Sequence, residues 1–418
     1  MGIDARIAWR NIWRNPRRTL LTMLAIVFAC VLLIFMLSFQ FGSYETMINA
    51  SVSIHTGHLQ VQALHYRDNH EIRKVISDPQ AVEAALKSIP QVKAYAPRAR
   101  AFALVSSQSR TYGVMVEGVD PVSEARVSTL KSIVRQGRYF DAATPKTGLT
   151  QALIGHLLAR NLKVNIGDEL TVLGQGRDGS IAATVLQVGG IYNSGMDEFD
   201  RSAIQIPLSV FQDIFSMGSA VHEIVVVGRH LSDVSAIKTA LEGSLSGMEA
   251  EHSLVVLDWV DLMPGLRQAI SMDLVSGAIF YLILVMVVAF SILNTFLMTI
   301  LERTYEFGVM MAMGAKPGRL SRLVLVESIG MTLVGVMAGI LLGCLVTIYF
   351  TYHGIDLAGS SEVLHQFGIT GRLYPRLTLI STTAGPAAVF LITLLAALYP
   401  ALKIKRLQPV EAMRKRQI

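Results

Sequence analysis

Charge is scarce in this chain: 16% of its 418 residues are Asp, Glu, Lys or Arg, against 52% hydrophobic and a mean hydropathy of +0.46. Soluble proteins rarely show that balance, and the apolar residues are clustered, so the sequence reads as a membrane protein. Cysteine is scarcer still. Cys30 and Cys344 both lie in apolar runs, which leaves no pair for a disulfide in any water-exposed segment. No G-x-x-x-x-G-K-S/T run occurs, so the chain has no phosphate-cradling loop of that kind with which to split ATP, and its energy source is expected to be another protein. Neither HExxH nor a nucleophile elbow is present, and the chain is read as noncatalytic. His55, His58, His65 and His70 fit no closed zinc site by spacing and have no cysteine beside them, so neither a metal nor another cofactor is expected on this chain.

What charge there is lies unevenly. Residues 43–272 hold 20 Lys and Arg against 23 Asp and Glu, whereas the remainder holds 17 against 8. The basic excess crowds the flanks of apolar runs, as the positive-inside rule produces; a nucleic-acid binder would carry it on a soluble domain. The expected fold is α-helical and membrane-embedded, with four transmembrane helices and a large α+β extracytoplasmic domain between the first and second.

In order, residues 1–19 form a cytoplasmic interfacial helix. Trp9 and Trp13 would sit at headgroup depth, with Arg10 and Arg14 facing anionic lipid. Residues 20–42 are the first span, too long for a signal peptide's apolar core. Residues 43–272 are the extracytoplasmic domain, with strands expected at 58–63, 101–105, 112–119, 169–173, 181–191 and 223–227, and helices at 79–89, 153–162, 207–215 and 233–245. Spans two, three and four occupy 273–300, 323–350 and 377–402. Residues 351–376 are a short extracytoplasmic loop and 403–418 a basic cytoplasmic tail, which places both termini inside. Gly174-x-Gly176-x-x-Gly179 spells a dinucleotide fingerprint, but no helix start follows, so a hairpin turn is expected. Gly335, Gly339 and Gly343 recur every four residues in span three, where they permit close helix packing, either within the subunit or across a dimer. Glu327, alone in that span, is either functional or snorkels to the nearby interface.

The stretch between spans two and three, residues 301–322, stands apart. Its acids (Glu302, Glu306) precede its bases (Lys316, Arg319, Arg322), the order a helix dipole favours. Phe307, Met310, Met311 and Gly314 follow at spacings of three and four, which predicts an acidic flank and a Met-rich face. A plain connector lying on the membrane is one reading. A docking helix for a soluble partner is the sharper one, because Met faces adapt to the surfaces they meet.

Three stretches then carry a family likeness: AWRNIWRNPRRTLLTMLAIVFA, ERTYEFGVMMAMGAKPGRL and YPALKIKRLQPVEAMR. Together and in order they resemble the permease subunits of ABC transporters of the MacB, FtsX and lipoprotein-releasing (Lol) group. The resemblance implies a bacterial inner membrane location, a dimer of permeases (homo- or heterodimer), and a cytoplasmic ABC ATPase dimer that binds ATP and Mg. It also implies that Glu302, Arg303, Glu306, Gly308, Met311, Gly314 and Ala315 form the coupling helix seated in that ATPase. Ser194, Gly195, Glu198 and Asp200 are similar to a Lol-type extracytoplasmic motif, which points to a lipoprotein or amphiphilic substrate. The Lol subunit that recruits the periplasmic lipoprotein chaperone has a long Pro-containing hook at the preceding hairpin. Here that hairpin is only Gly174 to Ser180, with no proline, so a periplasmic chaperone stays a candidate partner while its docking through such a hook is left open. A MacB-like exporter and an FtsX-like activator of an extracytoplasmic hydrolase are the rival functions.

Overall fold

The computed structural model describes residues 10–14, 16–140, 149–246, 253–356 and 372–404. It divides into two compact units, one built of long helices and the other of residues 45–268. Four helices are long and apolar enough to cross a membrane. The first-span helix runs Pro16–Ser51, the second Pro264–Glu302, the third Pro317–His353 and the fourth Leu379–Ile404. Between the second and third lies one short helix, Thr304–Ala312. The expected helix over residues 1–19 is interrupted at Pro16, which opens the first-span helix, where its missing N–H costs nothing.

Packing of the first and third spans depends on absent side chains. A Cβ built on Gly339 would stand 2.5 Å from Cys30 Cβ, one on Gly335 would meet Ile26 at 3.0 Å, and one on Gly343 would meet Ile34 at 2.9 Å. The three glycines therefore face the first span of the same chain, and close backbone approach supplies van der Waals contact where lipid gives no hydrophobic drive. Ile26, Cys30, Leu33, Ile292, Phe296, Val336 and Val389 share the resulting core.

In the domain, strands β1 (Leu59–Ala63), β2 (Val92–Ser106), β3 (Thr111–Val119), β4 (Val134–Gly137) and β5 (Thr150–Gly155) are followed by β6 (Glu169–Gln175), β7 (Ile181–Tyr192), β8 (Ala203–Pro207), β9 (Glu223–Gly228) and β10 (Leu254–Asp258). β2 is long enough to serve two lobes. Its first half pairs with β9, which continues through β1 to β10 as an open antiparallel sheet. Its second half pairs with β6. Because β6 also pairs with β7, the strands β2, β3, β8, β5, β7 and β6 close into a ring. Alternation explains the ring's filling: Leu170 and Val172 point inward, while Thr171 and Leu173 point out. The open sheet buries Leu59, Val61, Ile224 and Val226 against helices Pro79–Lys87 and Val234–Leu245.

The helix expected over 153–162 is split. Leu153, Ile154 and Gly155 end β5, and the helix is His156–Leu162. The run ALIG is apolar throughout because both its faces are buried, and such a run carries no period that tells strand from helix. Strands β4, β8 and β10 carry no clear period in the sequence, being short or buried on both faces. The Gly174 to Ser180 stretch is a hairpin turn. Gly176 N–H donates to the Ser180 carbonyl, Asp178 accepts from the Ser180 N–H and hydroxyl, and Gly179 takes φ +89°.

Candidate functional site

Glu302 ends the second-span helix instead of opening the loop helix. Arg303, at φ −93° and ψ 5°, is the break between them. Gly314 follows Met313 at φ +95°, a conformation suited to glycine, and stops the loop helix before Pro317 begins the third span. Phe307, at 0% exposure, packs with Met311, Ile300, Leu320, Val324 and Ile404. Phe307 and Met311 of the expected Met-rich face are thus turned into the chain's own core, while Met310 is half-buried and Gly314 open. Gly308 is buried as well. The outward surface is Leu301, Tyr305 and Met313, the last 76% exposed, with Glu302, Ala312 and Gly314 also open and Ala315 half-buried.

Two ion pairs fix the loop helix at its N-terminal end. Arg303 donates from Nη1 to both Glu327 oxygens, at 3.1 and 3.4 Å, and its guanidinium lies 5.3 Å from the Phe307 ring centre. Glu327 is 7% exposed and turned toward Arg303. Arg14 donates to Glu306 through both terminal nitrogens, at 2.5 and 3.1 Å. A bidentate pair of this kind has fixed geometry, and it ties Arg14 to the loop helix while leaving most of the side chain exposed. These residues, with Asn11, Thr19, Thr22, Thr295, Thr299 and Glu302, border a cavity of about 200 Å³. Trp13 is exposed and Arg10 likewise, while Trp9 and the tail beyond residue 404 lie outside the described residues.

The extracytoplasmic motif is a turn built on one carboxylate. Asp200 is fully buried and accepts from the Ser194 N–H and, at 2.6 Å, from its hydroxyl. His156 Nδ1 lies 2.9 Å from the other Asp200 oxygen. The acid thus stands between hydroxyl and imidazole, whereas activation of a serine needs the imidazole in the middle. Gly195 takes φ +80°, and Glu198 is exposed on the short helix Asp197–Ser202. Among the described residues no group of three or more His, Cys, Asp or Glu is placed to hold a metal.

A set of buried charges in the domain was not foreseen. Arg98 donates to Glu124 through Nε at 2.8 Å and Nη2 at 2.7 Å, and both side chains are fully buried. Arg100 reaches Glu117 and Glu223 at 3.0 Å each and also contacts the His55 ring. Burial alone would lower the Arg98 pKa, but Glu124, Glu223 and Glu117 reverse that and hold the guanidinium charged. The signal was available: arginines two apart in AYAPRARAFALV share one face of an otherwise apolar strand.

His222, stacked on Tyr66, gives a pH prediction. Burial lowers its pKa to about 4, helped by Arg100 and Arg177 and opposed by its bond to the Ile72 carbonyl. Below pH 6.5 the unfolded chain therefore binds a proton that the folded domain refuses. The contribution of His222 is full above pH 6.5 and falls about tenfold in folding equilibrium per pH unit down to about 4, with buried His55 and His58 adding in the same direction. Thermal unfolding across that window should show at least this slope, made shallower by one proton in His222→Asn.

Four spanning helices, a two-lobed α+β domain after the first, and a braced helical loop between the second and third define a polytopic permease-type membrane subunit. Sequence comparison makes this specific. Residues 19–244 match the MacB-like periplasmic core domain and residues 278–409 the FtsX-like permease C-terminal family. The chain belongs to this MacB/FtsX/LolE superfamily of ABC transporter permeases. It is 24% identical to the lipoprotein-releasing system transmembrane protein LolC of Xylella fastidiosa, over 81% of each chain. It is 26% identical to the pyoverdine export ATP-binding/permease protein PvdT of Pseudomonas syringae pv. tomato, over 98% of this chain and 59% of that one. It is 24% identical to the macrolide export ATP-binding/permease protein MacB of Rhodospirillum rubrum, over 99% of this chain and 60% of that one.

Proposed function

We propose that this chain is the noncatalytic permease of a lipoprotein- or amphiphile-releasing ABC transporter, pairing with a second permease and with a cytoplasmic ATPase dimer that carries ATP and Mg. Both termini lie in the cytoplasm of a bacterial inner-membrane protein and the domain in the periplasm. The observation that carries the reading is the loop helix Thr304–Ala312, pinned by Phe307 and Met311 to the third and fourth spans and by Arg14 and Arg303 to its neighbours. A push on its outer face at Tyr305 and Met313 would reach the spans instead of bending a slack loop. The similarity to LolC supports a lipid-anchored substrate, leaving the bilayer sideways beside spans one and two. The similarities to PvdT and MacB, which extend over nearly the whole chain, support small-molecule or peptide export as the second reading.

Met313→Asp tests the coupling. Met313 is exposed, so the variant should fold and yet lose most substrate-stimulated ATP hydrolysis in the complex; wild-type stimulation would sink the coupling role. Gly308→Trp is the poorer test, because Gly308 is buried and the ring would disturb the fold itself. For the substrate, depletion of the chain should leave lipoproteins in the inner membrane; unchanged lipoprotein sorting would favour export.

A further inference from the structure

The buried charges of the domain gather where the first-span helix ends. That helix leaves α geometry after Ser51 and finishes as a π-turn, Val52–Thr56, in which the Gly57 N–H donates to the Val52 carbonyl at 2.7 Å. π-turns are rare and concentrate at functional positions, and the last carbonyls of any helix need partners from elsewhere. Here separate elements supply them. The Ser53 carbonyl accepts from the Thr129 N–H at 2.9 Å, the His55 carbonyl from Arg98 Nη1 at 2.5 Å, and the Thr56 carbonyl from Gln60 Nε2 at 2.7 Å.

From there the contacts fan out to both lobes. Arg98 is held by Glu124 on the helix Pro121–Val127. Arg100 bridges Glu117 on β3 of the ring and Glu223 on β9 of the open sheet. The His55 ring stands 3.2 Å from Glu117 and packs on Phe199 at 4.7 Å between ring centres. Gln205 on β8 donates to Glu117 at 3.2 Å. Both arginines come from β2, the strand the two lobes share.

We infer that this cluster is the joint that locks the end of the first-span helix, the ring and the open sheet into one body, with Arg98 and Arg100 as positioning residues. A displaced helix end then carries both lobes with it. An apolar contact at this place could slide, because dispersion has no preferred direction. The forked Arg98–Glu124 pair and the bond to the His55 carbonyl have one arrangement. The inference rests on the permease reading only for what moves the helix; the lock itself is a property of the domain.

The test uses full-length protein in lipid nanodiscs with Cys30 and Cys344 replaced by alanine, spin-labelled at cysteines introduced in pairs: Ser109 on the ring with Ser244 on the open-sheet helix, and Ser109 with Ala50 on the first-span helix. In the native background each pair should give one narrow distance distribution. In Arg98→Met/Glu124→Leu, which replaces the buried pair with apolar side chains of similar size but leaves the His55 carbonyl without its donor, the melting temperature should fall much less than in Arg98→Ala while both distributions widen about twofold. Native widths in that double variant would overturn the lock. Arg98→Lys keeps the charge but loses the fork, and serves if the double variant does not fold: widening there supports the lock and native widths overturn it. Because no ATP hydrolysis is read, failure here leaves the coupling role of Met313 standing, and the converse also holds.

Discussion

Arg98→Ala is expected to cost about 3–5 kcal/mol of domain stability. The reason is what the substitution leaves behind. Glu124 is 0% exposed and takes two hydrogen bonds from Arg98, so truncation strands a carboxylate in low dielectric and frees the His55 carbonyl as well. Thermal unfolding of the purified full chain, followed by a domain signal, should show a fall of roughly 10 °C for a loss of this size. The variant also has a pH signature. A stranded carboxylate has its folded pKa raised above its unfolded value, so the folded state binds the extra proton and the deficit shrinks as pH falls through that raised pKa. Glu124→Gln in the Arg98→Ala background should recover part of the loss at neutral pH and abolish that dependence. A flat deficit, unaltered by Glu124→Gln, would show that Arg98 acts through packing of its stem and not through charge.

The architecture was legible in the sequence because the signals that report it are long. Uninterrupted apolar runs mark the four spans, the charge count separates the domain from its flanks, and turn residues mark the Gly174–Ser180 hairpin. The spacing of Gly335, Gly339 and Gly343 announced a close helix contact, but glycine spacing says only that something comes near; Cys30 and Ile34 of the first span are what comes near. The loop helix was legible as an element, but the way each of its side chains turns was not. Phe307 and Met311 are spaced as one face of a helix, and that spacing is the same whether the face meets a partner or Leu320 and Ile404. The buried cluster was the least legible. Its members are spread from His55 to Glu223, each is ordinary by itself, and only the pairing of β2 with β3 and β9 brings them together. Arg98 and Arg100 in an apolar strand were the one local hint, since a strand exposes such residues or supplies them with partners.

Arg303→Met is expected to lower the yield of folded, membrane-extracted protein sharply, and Arg303→Met/Glu327→Leu to restore it. Glu327 sits inside the third-span helix at 7% exposure, and the guanidinium of Arg303 is its charge partner at 3.1 Å. Loss of that cation removes one charge partner of a carboxylate near the end of a span, at a fraction of the about 2.5–3.5 kcal/mol that a charge at mid-bilayer costs on insertion scales. Leucine removes the charge together with its cost, so the double variant should match the native chain in yield and melting temperature. Function is expected to part from stability at this point. Arg303 also lies 3.5 Å from Glu306 and over the Phe307 ring, so it ties the third span to the loop helix, and a leucine in place of Glu327 cannot reach across to renew that tie. In the assembled complex the double variant should therefore fold normally, keep basal ATP hydrolysis by its partner, and lose most of the substrate-stimulated increment. Equal recovery of stability and stimulation would show that the pair only neutralises a buried charge, and that Phe307 and Met311 transmit the push without it.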